Sequence, residues 1–541
     1  MTKKWLSMSL VLALSATLLA ACGGNGGTSN TKGSGNEKPA NTNQGTTKTA
    51  DPNQYGDTGG VKLPIVDKPT TINWMVVSEN TDLNDKLFVK EIEKRTGIKI
   101  NFQAYSPTTY NDKLKVTVAS GKLPDIFHGL TASELKKIGK QKAVVAINDY
   151  LDILPNFKKL FIDENPWVMK SYADESGKIY TWPVAYVSRD VNHGFMYRKD
   201  IFDKLGIKEW TNTEEFYQAL KKLKEAYPDS YPVASKTKEH IFRDWAYGWG
   251  ISGTSYPAYY DEGAKTWKFA STQPEHKEML DFMKKLYNEG LLDPEFITDT
   301  PESWTAKMTT NNKSFVTWDW IGRLDLFYNQ VKDQNPEYDL RYGNPVGPTG
   351  NGATLSKINP DFSIAVANND KKEAALKLLD YLASPSGATL VTVGVEDEIF
   401  KIDENGKVVY PELTDVPLVD IKVLEDRYGL WVQGVYVNAD PRSVYYQFTE
   451  KEQEAQDKRL KANSFEPLDP VPNFNDEETA TVAELQTALL KSASEFNAKY
   501  VLDKSYGDAQ WEAWIKTAEK QGATKMIEIF NAAQQRYDAG N

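Results

Sequence analysis

TTINWMVV, residues 70–77, opens a part of the chain in which strand-like and helix-like segments alternate. This run is rich in β-branched residues, and in the segment after it, residues 83–97, apolar residues recur at helical spacing up to a glycine. IKINFQAY (98–105) predicts a second strand, NDKLKVTVASG (111–121) a second helix, and LPDIFHG (123–129) a third strand. The resulting order, βαβαβ, favours a parallel sheet with right-handed crossovers and places the chain in the α/β class.

Polar residues stand where these predicted strands end. Ligands of open α/β sheets bind in the crevice beyond the carboxyl ends of the strands. Glu79 and Asn80 follow the first strand, and Asp125 and His128 flank the third. Glu396 holds a similar position later in the chain. We therefore expect these five residues to contact a ligand.

Length and composition narrow the classes of function. The 541 residues exceed the roughly 250 to 300 at which a single core stops growing, so two lobes are expected. With 64 basic and 75 acidic residues, the formal charge is −11, which argues against nucleic acid as a partner. One cysteine and four unclustered histidines offer neither a disulfide nor a zinc site. We predict no metal and no cofactor.

The N-terminus predicts export and attachment to a membrane. Two lysines precede the apolar run of residues 5–21, and Cys22 follows it directly. The flanking sequence Leu-Ala-Ala-Cys resembles the lipobox of bacterial lipoproteins, which implies that residues 1–21 are a signal peptide and that Cys22 carries lipid. The apolar run lies at the short limit for a membrane span, so a retained anchor helix is the alternative. Residues 22–68 are then expected to form the lipidated cysteine and a flexible, low-complexity tether.

A further set of segments stands in a fixed order behind this cysteine. They are TINWMVV, KRTGIKINF, ASGKLPDIF, GKIYTWP, FMYRKDIFDKLGI with WTNTEEFYQALKKLK, SFVTWDW, EAALKLLDYLASPSGATLVTVGVED and FKIDENGKVV. No single segment is specific, but the ordered set resembles the extracellular solute-binding proteins of bacterial ABC importers. The resemblance is to the family 1 type, and within it to the larger oligosaccharide-binding proteins of Gram-positive cells, over nearly the whole mature chain.

The resemblance implies a two-lobed, periplasmic-binding-protein-like fold. Each lobe would be a mostly parallel sheet flanked by helices, and a hinge would join the two within residues 69–541. We place the first lobe at about 69–185 plus 345–398, and the second at about 186–344 plus 399–541. The implied protein is a monomer without catalytic activity, anchored on the outer face of the cell membrane through Cys22. It would capture an oligosaccharide between its lobes and deliver it to an ABC permease.

Aromatic residues among polar ones are the candidates for a sugar site. The C–H faces of a sugar stack on aromatic rings, and its hydroxyls need hydrogen-bond partners. The chain has 14 Trp, 28 Tyr and 21 Phe, although each of these residues could equally belong to the core. The candidates on this argument are Trp182, Tyr186, Trp245, Trp249, Trp318, Asp319, Trp320, Arg323 and Trp431.

Two alternatives stay open at this point. Two carboxylates at a suitable separation would suffice for glycoside cleavage, so a secreted glycoside hydrolase or lyase is one of them. The other keeps the fold and binds a peptide or another polar solute. Residues 403–407, DENGK, faintly resemble the start of a calcium loop, but Asn-Gly is a hairpin signature and we expect a turn. Arginines that could bind the carboxylate of a uronic acid are Arg189, Arg198, Arg243, Arg323 and Arg442.

Overall fold

The computed structural model describes residues 54–416, 419–446 and 449–539. They belong to one compact unit, Asp51–Asn541. The predicted signal peptide, Cys22 and most of the predicted tether lie outside the described residues. Among the described helices, none combines the length and the apolar character that crossing a membrane requires.

Strands and helices alternate from residue 70 to about residue 400, and helices dominate the C-terminal part. In chain order the strands are β1 (Thr70–Val77), β2 (Ile98–Tyr105), β3 (Ile126–His128), β4 (Trp182–Ala185), β5 (His193–Arg198), β6 (Ala258–Asp261), β7 (Thr266–Phe269), β8 (Val316–Trp320), β9 (Leu340–Tyr342), β10 (Ile358–Val366), β11 (Lys401–Ile402) and β12 (Val408–Val409). The helices are α1 (Leu87–Thr96), α2 (Tyr110–Ser120), α3 (Ala132–Lys140), α4 (Pro155–Lys158), α5 (Trp167–Tyr172), α6 (Lys199–Leu205), α7 (Thr213–Ala226), α8 (Ile241–Ala246), α9 (Pro274–Asn288), α10 (Pro301–Thr309), α11 (Arg323–Val331), α12 (Lys372–Ala383), α13 (Pro385–Thr392), α14 (Ile421–Tyr428), α15 (Pro441–Tyr446), α16 (Glu450–Ala462), α17 (Asp476–Leu502), α18 (Asp508–Lys520) and α19 (Ala523–Ala539).

The first sheet follows the predicted βαβαβ order. Its strands lie in the order β2-β1-β3-β10-β4, and β1 pairs parallel with both β2 and β3. Along β2, Ile98, Ile100 and Phe102 are buried while the residues between them are exposed, as expected of an edge strand with one face in water. Helix α1 ends at Gly97, whose φ of 73° is the left-handed conformation of the predicted C-cap.

The second sheet differs from the predicted mostly parallel arrangement. Its strands lie in the order β8-β5-β9, and β5 pairs antiparallel with both neighbours. In the first sheet, β10 is likewise antiparallel to β3 and β4. Strands β5 and β10 are those by which the chain enters each lobe from the other, so they approach the sheet from the opposite direction. The two-lobed α/β fold is confirmed, but the expectation of a mostly parallel sheet is wrong for the second lobe.

The chain passes between the two sheets through residues 186–192 and again through residues 343–357. The predicted third passage, at residue 399, is wrong. Val432, Val435 and Val437 are buried in the core of the first lobe, and single β-bridges join this region to Val77 and Ala185. Apolar side chains stabilise the lobe whose core they fill, so residues 399–439 belong with the first sheet. Helix α16 returns the chain to the second lobe, where Gln456 hydrogen-bonds both backbone groups of Val191.

The predicted tether is also too long at its C-terminal end. Val61, Leu63, Ile65 and Val66 pack against the core of the first lobe, and the Ile65 amide donates to the carbonyl of Thr96. Four apolar side chains within six residues bury enough surface to order this segment. The folded part therefore begins before residue 69.

Two smaller elements complete the fold. Strands β11 and β12 form a hairpin in which one carboxylate oxygen of Asp403 accepts the amides of Asn405 and Lys407, so the predicted turn is confirmed. Helices α17, α18 and α19 cover the second lobe, and α17 packs along α9. Ahead of α17, Asn473 accepts a hydrogen bond from Lys136 of the first lobe at 2.6 Å.

Candidate ligand-binding cleft

A cavity of about 660 Å³ opens where both passages between the lobes meet the second sheet. Strand β5 begins and strand β8 ends at this edge, because the two are antiparallel. Ala353 and Leu355 of the second passage also line the cavity. The remaining lining residues are Asn192, His193, Lys236, Thr237, Lys238, Glu239, His240, Arg243, Asp244, Tyr247, Pro301, Trp318 and Asp319. The cavity thus lies at the boundary of the lobes, at a strand-end position of the kind expected from topology.

An aromatic pair forms one wall of this cavity. The ring of His193 stacks on that of Trp318 with centroids 5.1 Å apart and planes inclined by 18°. Neighbouring strands present the two side chains, since His193 opens β5 and Trp318 lies within β8. Both rings are only half-buried, which leaves an aromatic surface facing the cavity. Such a surface suits the C–H face of a sugar ring.

Asp319 stands beside this wall and is held by two cations. Its carboxylate accepts Lys236 at 3.1 Å and the Nε of Arg323 at 2.9 Å, and its side chain is almost fully buried. Buried carboxylates persist when they are paired in this way. Asp319 and Arg323, both predicted site residues, are therefore brought together as an ion pair that shapes the cavity.

Asp244 is the second carboxylate of the cavity, and its environment disfavours its charge. Burial raises the pKa of Asp244 to about 7, against the lowering effects of a hydrogen bond from Thr237 and of the Arg243 charge. The nearby charge of Asp319 adds to the rise. Burial also lowers the pKa of His193, and Lys236 and Arg243 lower it further. Near neutral pH the cavity thus carries less negative charge than its sequence indicates.

The polar residues predicted at the edge of the first sheet mostly serve the fold. Asp125 is buried and accepts hydrogen bonds from the amide of Asn73, from Asn369 and from Lys371. It also precedes β3, so it lies at the opposite end of that strand from the cleft-side loop. Asn80 donates to the carbonyl of Glu425 at 2.8 Å.

His128 and Glu79 differ sharply in exposure. His128 is 3% exposed, stacks on Tyr110 at 4.7 Å and lies against Gly434, so a side chain at position 434 would collide with its ring. Its burial lowers its pKa to about 4, which keeps the ring neutral. Glu79 is exposed at the end of β1. Of the five strand-end candidates, Glu79 alone has an exposed side chain at the carboxyl end of a strand of the first sheet.

Four of the predicted tryptophans lie in cores. Trp182 packs edge-on against Phe157, and Trp245 and Trp249 lie nearly parallel at 6.5 Å inside the second lobe. The helical spacing correctly predicts that Trp245 and Trp249 share a face, but this face is turned towards the core. Trp431 is buried against Tyr436.

Tyr186 and Glu396 line a different cavity, of about 750 Å³, on the first lobe. Tyr186 lies in the first passage between the lobes, with a positive φ of 57°, and its amide donates to Lys357 of the second passage. Trp320 is 38% exposed at the end of β8, outside the lining of the 660 Å³ cavity. A third cavity, of about 1030 Å³, separates the β11–β12 hairpin from α16. The 660 Å³ cavity stands apart from both because it combines a stacked aromatic wall with a strand-end position.

Comparison with known proteins agrees with this architecture. The family model of bacterial extracellular solute-binding proteins matches residues 78–389, more than half of the chain. The chain belongs to this family. The matched residues include both passages between the lobes and every lining residue of the cavity.

Individual relatives of this solute-binding protein match over most of their length. A fructooligosaccharide ABC transporter substrate-binding protein of Streptococcus pneumoniae is 24% identical over 89% of this chain and 93% of its own. A polygalacturonan/rhamnogalacturonan-binding protein of Bacillus subtilis is 24% identical over 86% of this chain and 93% of its own. Among solved structures, an HMO-binding solute-binding protein of Bifidobacterium longum infantis superposes with a TM-score of 0.69 at 20% identity, covering 87% of this chain and 99% of the other. These similarities support the two-lobed fold.

Several lining residues of this solute-binding protein escaped sequence reasoning as site residues. They lie mainly in the segment from Lys236 to Tyr247, together with His193, and among the lining residues of that segment only Arg243 was predicted from the sequence, as a partner for a carboxylate. The segment is short, charged and bounded by loops, so no periodicity marks it. Its one available signal is composition, because cations and histidine are concentrated within eight residues of an otherwise acidic chain. Lys238 in addition adopts a φ of 53°, a strained conformation of the kind that concentrates at functional sites.

Proposed function

We propose that this protein is the membrane-tethered, extracellular substrate-binding component of an ABC transporter, which captures an oligosaccharide between its lobes and delivers it to the permease. The stacked pair His193–Trp318, in the cavity where the passages between the lobes meet the second sheet, carries this proposal. A sugar needs an aromatic face together with hydrogen-bonding groups, and the cavity offers both within one wall. The relatives named for fructooligosaccharide, for polygalacturonan/rhamnogalacturonan and for HMO binding support an oligosaccharide as the ligand.

The proposed mechanism is an equilibrium between open and closed lobes. Residues 186–192 and 343–357 are two of the covalent links about which the lobes would rotate, and Tyr186 and Lys357 join them by a backbone hydrogen bond. A ligand that contacts both lobes stabilises the closed state by its additional interactions there. Glu79 and Asn80 of the first lobe are proposed to contribute to this second set of contacts.

The proposed anchor is a lipid on Cys22. Two acyl chains hold a protein firmly at a membrane where one would not. The segment between Cys22 and the folded part would allow the lobes to reach the outer face of the permease. Mass spectrometry of the N-terminal peptide tests this, with a diacylglycerol mass expected on Cys22. The Cys22→Ser variant is expected to lack this mass, and a diacylglycerol mass on the variant's N-terminal peptide would contradict the proposal.

Calorimetry of the soluble form, residues 54–541, against a panel of neutral and acidic oligosaccharides tests the ligand class. We expect at least one to bind, with compaction of the protein in small-angle scattering. Trp318→Ala is expected to weaken binding about 10- to 100-fold, whereas Trp318→Phe should retain most of it, because stacking needs only an aromatic face. Binding of peptides alone, or binding unaffected by Trp318→Ala, would contradict the oligosaccharide proposal.

One observation favours glycoside hydrolysis as a second candidate. Asp244 and Asp319 line the same cavity, and their surroundings keep Asp319 paired while raising the pKa of Asp244, a division that suits an acid and a charge stabiliser. Against this, Lys236 and Arg323 each donate to one oxygen of Asp319, and this double pairing weakens the carboxylate as a nucleophile or base. Incubation with each bound oligosaccharide, followed by measurement of new reducing ends, separates the two. Turnover that Asp244→Asn abolishes would establish the hydrolase.

A further inference from the structure

The cavity wall lacks the acidic excess of the protein as a whole, because three cations line it beside three carboxylates. The chain is acidic overall, yet Lys236, Lys238 and Arg243 line the cavity within eight residues of one another. A cleft that concentrates one sign of charge attracts ligands of the other sign.

The acidic residues of the wall only partly compensate these cations. Asp319 is a single carboxylate shared between Lys236 and Arg323. Asp244 is poorly ionised, because burial disfavours its charge. Among the residues that the structure describes, no carboxylate forms an ion pair with Lys238 or with Arg243, and both side chains are exposed. Glu239 is the remaining acidic group, and it is exposed too.

A buried cation adds to the same potential. Arg459 lines a small extension of the cavity, together with His193, Asp244 and Trp318, and it is only 2% exposed. Its guanidinium donates to the hydroxyl of Tyr342 and to the carbonyl of Ser464, both neutral, and its Nε has no partner among the described residues. A buried charge is normally paired with an opposite one, so an uncompensated guanidinium here leaves a positive potential that solvent screens weakly.

We propose that the ligand of this cleft is an acidic oligosaccharide, whose carboxylate is bound by Arg243 while one sugar ring stacks on Trp318. The inference rests on the proposed function and narrows its ligand class. The guanidinium of Arg243 can bind a carboxylate through two parallel hydrogen bonds. Lys238 adds a second positive charge to the lining of the same cavity. The fields of Lys236 and Arg459 then favour the anion without direct contact.

Matched ligand pairs test this inference. The probes are galacturonate and mannuronate oligomers of three or four sugars, each compared by calorimetry with its methyl ester, which has the same shape without the charge. We expect at least one acid to bind about ten-fold or more tighter than its ester, and its affinity to fall as salt is raised. Arg243→Gln should remove most of this acid-to-ester preference and leave a ratio of about three-fold or less, and Arg243→Lys should restore part of it.

The control variant is Lys516→Gln, which removes one positive charge from an exposed position of α18 in the same lobe. It should leave the preference unchanged. If esters and neutral oligosaccharides bind as tightly as the acids, or if Arg243→Gln keeps the preference, the inference is wrong while the oligosaccharide function stands. If no oligosaccharide of either kind binds, the proposed function fails and this inference with it.

Discussion

The polar groups at the edge of the first sheet differ from those of the second-lobe cavity in how far the protein satisfies them. Asp125 receives three hydrogen bonds from its own lobe, and Asn80 is fixed to Glu425. In the second lobe, no described carboxylate lies within ion-pair distance of Lys238 or of Arg243. Both sets stand near strand ends or passages, so position alone does not separate them. Their hydrogen-bond and ion-pair partners separate the two sets. A polar group whose partners lie within the protein stabilises the fold, whereas an exposed polar group without such partners is available to a ligand.

The same contrast holds between tryptophans, and it gives the largest expected effect. Trp245 is 1% exposed and contacts Phe195 and Trp249, whereas Trp318 is half-buried at the cavity. Trp245→Ala should lower the free energy of unfolding by about 3 to 5 kcal/mol, since it leaves a large cavity in the core. Trp318→Ala should cost less, about 1 to 2 kcal/mol, because its ring packs against the same core but is only partly buried. Urea unfolding of both variants measures the difference, and equal losses would break the contrast.

Asp125 gives the next largest effect. Asp125→Ala leaves the Asn73 amide, Asn369 and Lys371 without their shared acceptor and should destabilise the protein by about 2 to 3 kcal/mol. In the folded protein, ligand affinity should stay within about two-fold, because Asp125 precedes β3 and lies away from the cleft. Thermal unfolding and calorimetry together check this. An unchanged melting temperature together with a loss of ligand affinity would show that Asp125 contacts the ligand.

Local signals predicted the strands of the first lobe closely. TTINWMVV and IKINFQAY coincide with β1 and β2 from end to end, and Gly97 caps α1 as expected. Such features depend on residues that are neighbours in the chain, so spacing and residue type are enough to find them. The family resemblance supplied the two-lobed arrangement, which no local pattern contains.

The limits of sequence reasoning appear where distant segments meet. Nothing near residue 399 shows that Val432, Val435 and Val437 will fill the first core, because the β-bridges that tie this region to the first lobe reach Val77 and Ala185, more than 200 residues earlier in the chain. Core and cleft tryptophans likewise have the same local appearance. Trp245 and Trp318 each stand beside an acidic residue in an apolar segment, and only tertiary packing buries one and leaves the other at the cavity. Burial raises the pKa of Asp244, and the residues next to Asp244 in the chain do not show that it will be buried.

Lowering the pH should increase the difference between the second-lobe cavity and the edge of the first sheet, because it removes negative charge from Asp244 in the cavity wall. Below a pKa of about 7 Asp244 takes up a proton, whereas a uronate carboxylate, with a pKa of roughly 3.5, stays charged. Repulsion between the two falls as Asp244 becomes neutral, so affinity for an acidic oligosaccharide should rise about two- to five-fold from pH 8 to pH 6. The Asp244→Asn variant isolates the contribution of this carboxyl. Calorimetry at each pH should show a flatter profile for that variant, and an unchanged profile would assign the effect elsewhere.

The smallest effect is expected at Trp320, where the contrast between fold and ligand surface ends. Its ring is 38% exposed and lies over Gly322, so close that a β-carbon at position 322 would meet it at 2.1 Å. Trp320→Ala should change the free energy of unfolding by about 0.5 kcal/mol or less and ligand affinity by less than about two-fold. Gly322→Ala displaces the ring without removing it. Because the ring can rotate into solvent, this variant should likewise leave the free energy of unfolding and the ligand affinity nearly unchanged. A loss of affinity in both variants, comparable with that of Trp318→Ala, would instead extend the aromatic ligand surface along β8 beyond the cavity, because the two changes share only the position of the Trp320 ring.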